Sequence, residues 1–380
     1  LERLVTTARD NWQTELETQG FTWHHVRDEI YWTEGTYYKF QLPEVLAIET
    51  ATARLQEMCL KAVQHIIDEK LYTDLLIPEW IIPAIEKSWE QDKPISLYGR
   101  FDLGYNPVTG DIKMLEYNAD TPTSLLESSV IQWYWKEQVF PEADQFNSIH
   151  EKLVAAWARQ MQVTGINHFH FASVESDEDQ YTCEYLAECA RQAGATTKSM
   201  FIGDIGWNSK TGRFIDTMGL NINACFKLYP YEWMVDEEFG QKMLETHTLW
   251  IEPYWKMLLS NKAILPILWK LFPGNKHLLQ ASFDANDFKG NYVTKPVFSR
   301  EGANVTIYDE NNRVLDFTDG KYSDCPLVYQ EKFEFHVVDS KYPVIGSWII
   351  DGEPAGMCVR ESDTMITNNL SRFIPHIIGE

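Results

Sequence analysis

The stretch from Tyr98 to Glu127, YGRFDLGYNPVTGDIKMLEYNADTPTSLLE, constrains this chain more than any other. Residues 100–105 alternate, Asn106-Pro107-Val108-Thr109-Gly110-Asp111 carries turn residues, and residues 112–118 alternate again, the pattern of a β-hairpin. Side chains in a strand point to opposite faces with period two. Arg100 and Asp102 therefore share one face of the first strand, and Glu116 and Asn118 share one face of the second. With the turn centred near Thr109, Asp102 stands opposite Glu116 and Arg100 opposite Asn118. Opposed Cβ atoms lie about 5 Å apart, so two carboxylates there repel unless positive charge lies between them. An Asp, a Glu and an Asn carbonyl supply three hard oxygens. Mg²⁺ accepts such a partial shell while keeping waters or substrate phosphates as its other ligands. A solvated hairpin face with an Arg–Glu pair would use the same residues. The continuation Asn118-Ala119-Asp120-Thr121-Pro122-Thr123-Ser124 favours the metal, because it is a hydroxyl-rich turn opening a helix, and exposed amides at a helix start suit an anion.

The rest of the chain divides around this hairpin. Residues 1–42 are a mixed lead-in, in which Trp23-His24-His25 and Tyr31-Trp32 read as short strand or docking pieces. A helix is expected from Pro43 towards Glu69, with Leu55, Met58, Cys59, Ala62, Val63 and Ile66 as its core stripe. Leu76 to Trp89 reads as a second helix interrupted at Pro78 and Pro83, and further helices fall near residues 123–139 and 147–163. HFHFASV (168–174) alternates as a strand whose His168 and His170 share a face. The helix 177–192 follows, closed by Gly194, then strands at 196–202 and 225–229 and a helix at 232–246. Strand, helix, strand, helix at this spacing gives an α/β unit with a parallel sheet. It has no GxGxxG, so a dinucleotide site is unsupported. Asp177-Glu178-Asp179 lies just past a strand end, where open α/β sheets place ligands, and could grip an ammonium group. Acids in a helix's first turn explain it equally well. Beyond Trp250, Ser260-Asn261-Lys262 caps a helix ending at Pro273-Gly274. Strands are expected at 292–298, 305–308 and 327–335, with hairpin turns at Asn311-Asn312 and Asp351-Gly352, making an antiparallel α+β part.

Length suits two or three subdomains with their own cores. We divide the chain at 1–145 (helical lead-in and metal-site hairpin), 146–250 (α/β) and 251–380 (lysine- and arginine-bearing part). A net charge of −23 argues against nucleic acid, which needs a basic surface, and fits a cationic small substrate as well as plain solubility. No run of about 18 apolar residues is present, so no membrane span is expected. The start, LERLVTTARD, lacks signal-peptide architecture, and the six cysteines show no CxxC pairing. Both point to a cytoplasmic protein with reduced, mostly buried thiols. Oligomeric state is open.

Against this acidic background, four cations stand out. Lys295 lies inside an apolar strand, where a lysine is costly unless paired. Arg300 follows in a Gly-containing loop, Lys262 opens a helix, and Arg360 ends a strand. With the Asp/Glu/Asn face they make the parts of a nucleoside triphosphate site with Mg²⁺, although scattered surface cations would look similar. Walker A, HRD and DFG motifs are missing, so P-loop and kinase solutions do not apply.

GRFDL, KMLEYNADTPTSLLE, SNKAILPILW, YVTKPVFSREGANV, VYQEKFEF and IGSWIIDGEPAGMCVRES, taken in order, resemble the synthetase part of glutathionylspermidine synthase and its stand-alone bacterial relatives. The resemblance covers nearly the whole chain. It implies an ATP-grasp fold, α/β and α+β, preceded by a Rossmann-like pre-ATP-grasp subdomain. It implies an ATP- and Mg²⁺-dependent carboxylate–amine ligase working through an acyl phosphate, with two Mg²⁺ ions. The acid would be glutathione or peptide-like, the amine a polyamine or another amine. The alternative is a non-catalytic nucleotide or polyamine sensor on the same fold. By resemblance, Asp102, Glu116 and Asn118 hold the metal, and Lys262, Lys295 and Arg300 hold phosphates. Gln330 and Glu331 meet adenine, and Arg100 and Arg360 flank the transferring phosphate and the glycyl carboxylate of glutathione. Thr121 and Thr123 stand where the synthetase has serines at the glutathione site. Asp177 and Glu178 stand near its polyamine acids. The bifunctional enzyme's amidase domain has no counterpart in this chain, so no amidase activity is expected. The loop at Gly302 is the candidate lid.

Overall fold

The structure, a computed structural model, describes residues 1–26, 28–368 and 370–379. Its centre is a five-stranded antiparallel sheet in the order Arg372–Ile374, Glu353–Ser362, Tyr342–Ile350, Tyr98–Asn106, Asp111–Asn118. The hairpin forms in the expected register, with Asp102 opposite Glu116 and Arg100 opposite Asn118. Its other edge pairs with the C-terminal hairpin, so Asp102 also faces Gly346 and Arg100 faces Trp348. Gly346 has to be small: a Cβ there would stand 2.6 Å from Cys358 Sγ and 3.0 Å from the Arg100 side chain. The glycine is what lets Arg100 lie flat across the sheet.

The helix Leu42–Glu69 covers this sheet, burying Leu55, Cys59, Ala62, Val63 and Ile66 at helical spacing. Gln41 and Glu44 form a capping box at its start. The expected helix over 76–89 begins later, at Ile82, after a 3-10 turn at Glu79–Ile81. Leu76 is in the left-handed region and Pro78 disfavours helical backbone at the residue before it.

The parallel sheet also forms, in the order Leu249–Ile251, Ala224–Leu228, His168–Ser173, Thr196–Phe201. The helix Asp177–Gln192 starts at Ser176, whose hydroxyl accepts from the Asp179 amide at 3.3 Å. The helix expected over 232–246 is instead one turn, Tyr231–Met234, and a separate 3-10 segment, Gly240–Leu244. Gly240 folds back so tightly that a Cβ would lie 2.6 Å from the Met234 carbonyl oxygen. A second antiparallel sheet runs Ala281–Ser282, Leu327–Glu331, Tyr292–Pro296, Thr306–Tyr308, Val314–Phe317. Its strand from Leu327 stops at Glu331 rather than Phe335. The preceding helix is Ile264–Leu271, two residues past Lys262. Asn261 caps the turn before it, accepting from the Ala263 amide at 2.9 Å. Among the described residues no helix is long and apolar enough to cross a membrane. Five of the six cysteines are buried, Cys325 is half-buried, and none is disulfide-bonded.

Candidate active site

A cavity of about 350 Å³ lies between the central hairpin, the antiparallel sheet around Lys295 and the start of the helix at Asp177. Its floor is the polar face of the hairpin. Asp102 is clamped by two arginines: Oδ1 accepts from Arg100 Nε at 2.7 Å, and Oδ2 from Arg100 Nη2 at 3.1 Å and Arg360 Nη2 at 2.8 Å. Arg100 also donates to the Thr123 carbonyl at 2.5 Å, tying the strand to the turn after the hairpin. Burial alone would weaken the charge on Arg100, but the Asp102 carboxylate outweighs it and strengthens it.

Glu116 takes the lysines. Lys262 Nζ lies 3.0 Å from its carboxylate, and Asn118 Nδ2 donates to it at 3.2 Å. Burial would raise the affinity of Glu116 for a proton; Lys262 and Lys295 more than offset that and hold it well below the usual carboxylate range. Lys295 is buried in its strand, as the sequence suggests. It donates to the Leu115 carbonyl at 3.0 Å and to Gln330 Oε1 at 2.7 Å. Burial pushes its pKa down to about 8, against the pull of Glu116. Gln330 in turn donates to the Met114 carbonyl at 3.1 Å, so the second sheet is hydrogen-bonded to the hairpin at the lysine. Glu331, at the strand's exposed end, reaches the cavity rim.

Arg300 enters from the loop after the Lys295 strand. Its guanidinium donates to Glu232 at 2.8 Å and to the Thr121 hydroxyl at 3.0 Å. Thr123 also lines the cavity. Of the acidic run, Glu178 and Asp179 line the wall, whereas Asp177 is exposed and lies outside it, 3.5 Å from Thr22 Oγ1. Consecutive residues on a helix point about 100° apart, so one turn cannot aim all three acids inward.

Six cations, Lys332 besides the five above, thus line one cavity of a chain that carries −23 overall, where they stand among eight carboxylates. Such a concentration suits a polyanion. The metal set also fits. The two carboxylates are held by cations, and Asn118 spends its amide nitrogen on Glu116. Among the described residues no three His, Cys, Asp or Glu side chains form a cage that could hold a metal by themselves. That is the donor set expected for Mg²⁺ arriving with phosphates rather than for a resident ion.

Sequence reasoning missed three contributors. Glu232 pairs with Arg300 from a segment expected to be plain helix. Glu127, fully buried, receives Trp23 and Tyr31. Asp120 is fixed by Lys227 Nζ at 2.6 Å and the Tyr231 amide at 3.0 Å, which anchors the turn beneath Thr121 to the parallel sheet. Only Asp120 carried a local signal, as the one acid inside the hydroxyl-rich turn.

The sequence model of the glutathionylspermidine synthase preATP-grasp family matches residues 3–379. The "Putative acid--amine ligase" of Haemophilus influenzae is 42% identical over 384 residues, covering 97% of both chains. Trypanothione synthetase of Crithidia fasciculata is 28% identical over 97% of this chain, and the bifunctional glutathionylspermidine synthetase/amidase of Escherichia coli is 28% identical over 86% of it. The aligned region spans 61% and 57% of the length of these last two proteins.

Proposed function

Because this chain belongs to the glutathionylspermidine synthase preATP-grasp family and has its ATP-grasp type of fold, we propose that it is an ATP- and Mg²⁺-dependent acid–amine ligase whose acid is glutathione or a short peptide and whose amine is a polyamine or a related amine. The observation that carries this reading is the meeting of Arg100, Lys262, Lys295, Arg300 and Arg360 with Asp102, Glu116 and Asn118 in one cavity.

The residues divide the work by charge. Lys262 and Lys295 hold the triphosphate, with Gln330 and Glu331 at the adenine end. Arg100 and Arg360 face the phosphoryl group as it moves to the acid's carboxylate, and the bond between the γ-phosphorus and the ADP oxygen breaks. Two Mg²⁺ ions, held through Asp102, Glu116 and Asn118, would neutralise phosphate charge. There is little covalent chemistry for the protein itself to do, so positioning and electrostatics supply most of the acceleration. Arg300 and Gly302 lie on one loop, whose backbone packs against the Thr367 carbonyl. Closing this loop over the acyl phosphate would keep water out. Thr121 and Thr123 present hydroxyls to the acid, and Glu178 and Asp179 present charge to the amine.

The test is ADP release from Mg²⁺-ATP with glutathione and a panel of short peptides, each against spermidine and other amines, read with mass spectrometry of the products. ADP together with an amide adduct is the expected result. ATP binding with no ADP release for any pair would replace the ligase by a nucleotide sensor. Arg300→Ala is expected to lower kcat by about 10²-fold, the usual loss when one preorganised donor to a transition state is removed. Its partners Glu232 and Thr121 remain half-exposed, so little stability should be lost. A raised KM with unchanged kcat would move Arg300 away from the transferring phosphate.

A further inference from the structure

Binding an amine requires only negative charge, but attack by that amine also requires a place for its proton. The helix Asp177–Gln192 brings two consecutive carboxylates to the cavity wall, and they answer to different arginines: Glu178 to Arg360, Asp179 to Arg300. The strongest like charge acting on Glu178 is Glu127. Glu127 is fully buried. Its Oε1 accepts from Trp23 Nε1 at 3.0 Å and from the Tyr31 hydroxyl at 2.9 Å, while its Oε2 has no partner among the described residues. A buried carboxylate oxygen without a partner is costly, and burial pushes the pKa of Glu127 up, against the hydrogen bonds from Trp23 and Tyr31.

We propose that Glu178, on the cavity wall, is the base that takes the proton from the attacking ammonium group, and that the buried Glu127 is its positioning residue. The proposal rests on the ligase reading above. The amine arrives as an ammonium ion. One N–H bond breaks, the electron pair stays on nitrogen, and the proton passes to the Glu178 carboxylate. The neutral amine attacks the acyl carbon, the carbon–oxygen bond to phosphate breaks, and the second proton leaves with the phosphate. Glu178 then returns its proton to solvent.

The surroundings favour Glu178 over its neighbour. Burial, then Glu127, Asp179 and Glu301, push its pKa up to about 8, against Arg360. A general base works best when its pKa lies near the working pH. Asp179 is raised only to about 6, chiefly by burial, and the capping hydroxyl of Ser176 and the charge of Arg300 oppose the rise. The arriving ammonium itself draws Glu178 into its charged form.

The experiment compares spermidine with hydroxylamine as acceptor, using whichever acid supports ADP release in the panel above. Hydroxylamine is uncharged near neutral pH and needs no base. In Glu178→Gln, amide formation with spermidine should fall by about 10²-fold or more, while hydroxamate formation stays within a few-fold of the unmodified protein. Retained hydroxamate formation is also proof that this variant folds. Glu178→Asp, which keeps a base but draws it back, should restore part of the spermidine rate. Glu127→Gln can still accept from Trp23 and Tyr31 through its amide oxygen. It should move the rising limb of spermidine ligation to lower pH and leave the hydroxylamine profile in place. Equal loss with both acceptors in Glu178→Gln, an unmoved profile in Glu127→Gln, or an acceptor-selective loss in Asp179→Asn instead would each overturn the proposal. No acyl transfer to either acceptor in the unmodified protein would overturn the ligase reading itself, and the two failures are thereby told apart.

Discussion

Glu116→Gln should reduce ADP release by about 10³-fold or more, the largest single effect expected in this molecule. The change is nearly isosteric, and the hydrogen bond from Asn118 Nδ2 can persist to the new amide oxygen. What is lost is the negative charge between Lys262 and Lys295. Without it Lys262 loses its ion pair, and only the weaker pull of Asp102 is left at the hairpin to oppose the burial that already brings Lys295 down to about 8. On the proposed assignment the variant therefore removes a metal oxygen and weakens the charge of a phosphate-holding lysine at once. The check is steady-state ADP release beside near-ultraviolet circular dichroism and a melting curve. Unchanged turnover in a folded variant would remove Glu116 from the metal set. The dependence on pH is informative too. The residual rate should begin to fall at a lower pH than that of the unmodified protein, since loss of the Glu116 charge lowers the pKa of Lys295 further.

The second large effect is on stability. Lys256 is completely buried, and its ammonium group donates to the Tyr98 carbonyl at 2.9 Å and the Ala119 carbonyl at 3.1 Å, with Glu252 at 3.4 Å. Glu252 is equally buried and accepts from the Leu97 amide at 2.9 Å and the Tyr98 amide at 3.0 Å. The pair thus grips the backbone where the first hairpin strand begins and just past where the second ends. Lys256→Met strands a carboxylate and two carbonyls in a dry interior, which costs about 3–5 kcal/mol. Denaturant unfolding should show this as a lower midpoint. The Lys256→Met/Glu252→Gln double variant should recover part of the loss, because the uncompensated charge is gone. A single-variant loss below about 1 kcal/mol, the worth of one ordinary hydrogen bond, would mean that water reaches the pair.

What could be read from the sequence follows the range of the interactions involved. The Asp102–Glu116 register was legible because a local turn and a period of two determine it. Lys295 was legible because a lysine among strand residues must have a reason. Glu127, Glu232 and Lys256 were not, since each acts through partners distant in sequence: Lys256 meets Tyr98 158 positions earlier. The acidic run was legible as a group but not residue by residue. Which of Asp177, Glu178 and Asp179 faces inward depends on where Ser176 caps the helix. The missing helix over 232–246 shows the same limit. Its residues favour helix, but Gly240 packs against the Met234 carbonyl, and that contact prevails over propensity.

The sheet order has a consequence for the order of synthesis. Tyr98–Asn106 is buried along almost its whole length, yet one of its two neighbours, Tyr342–Ile350, is synthesised about 240 residues later. Arg360, which completes the clamp on Asp102, comes later still. Throughout that interval the nascent strand has a bare hydrogen-bonding edge and an apolar face in need of cover, the two features that invite association with other chains. The pairing that covers this edge is therefore long-range in sequence. The candidate site is complete only when the C-terminal hairpin has paired.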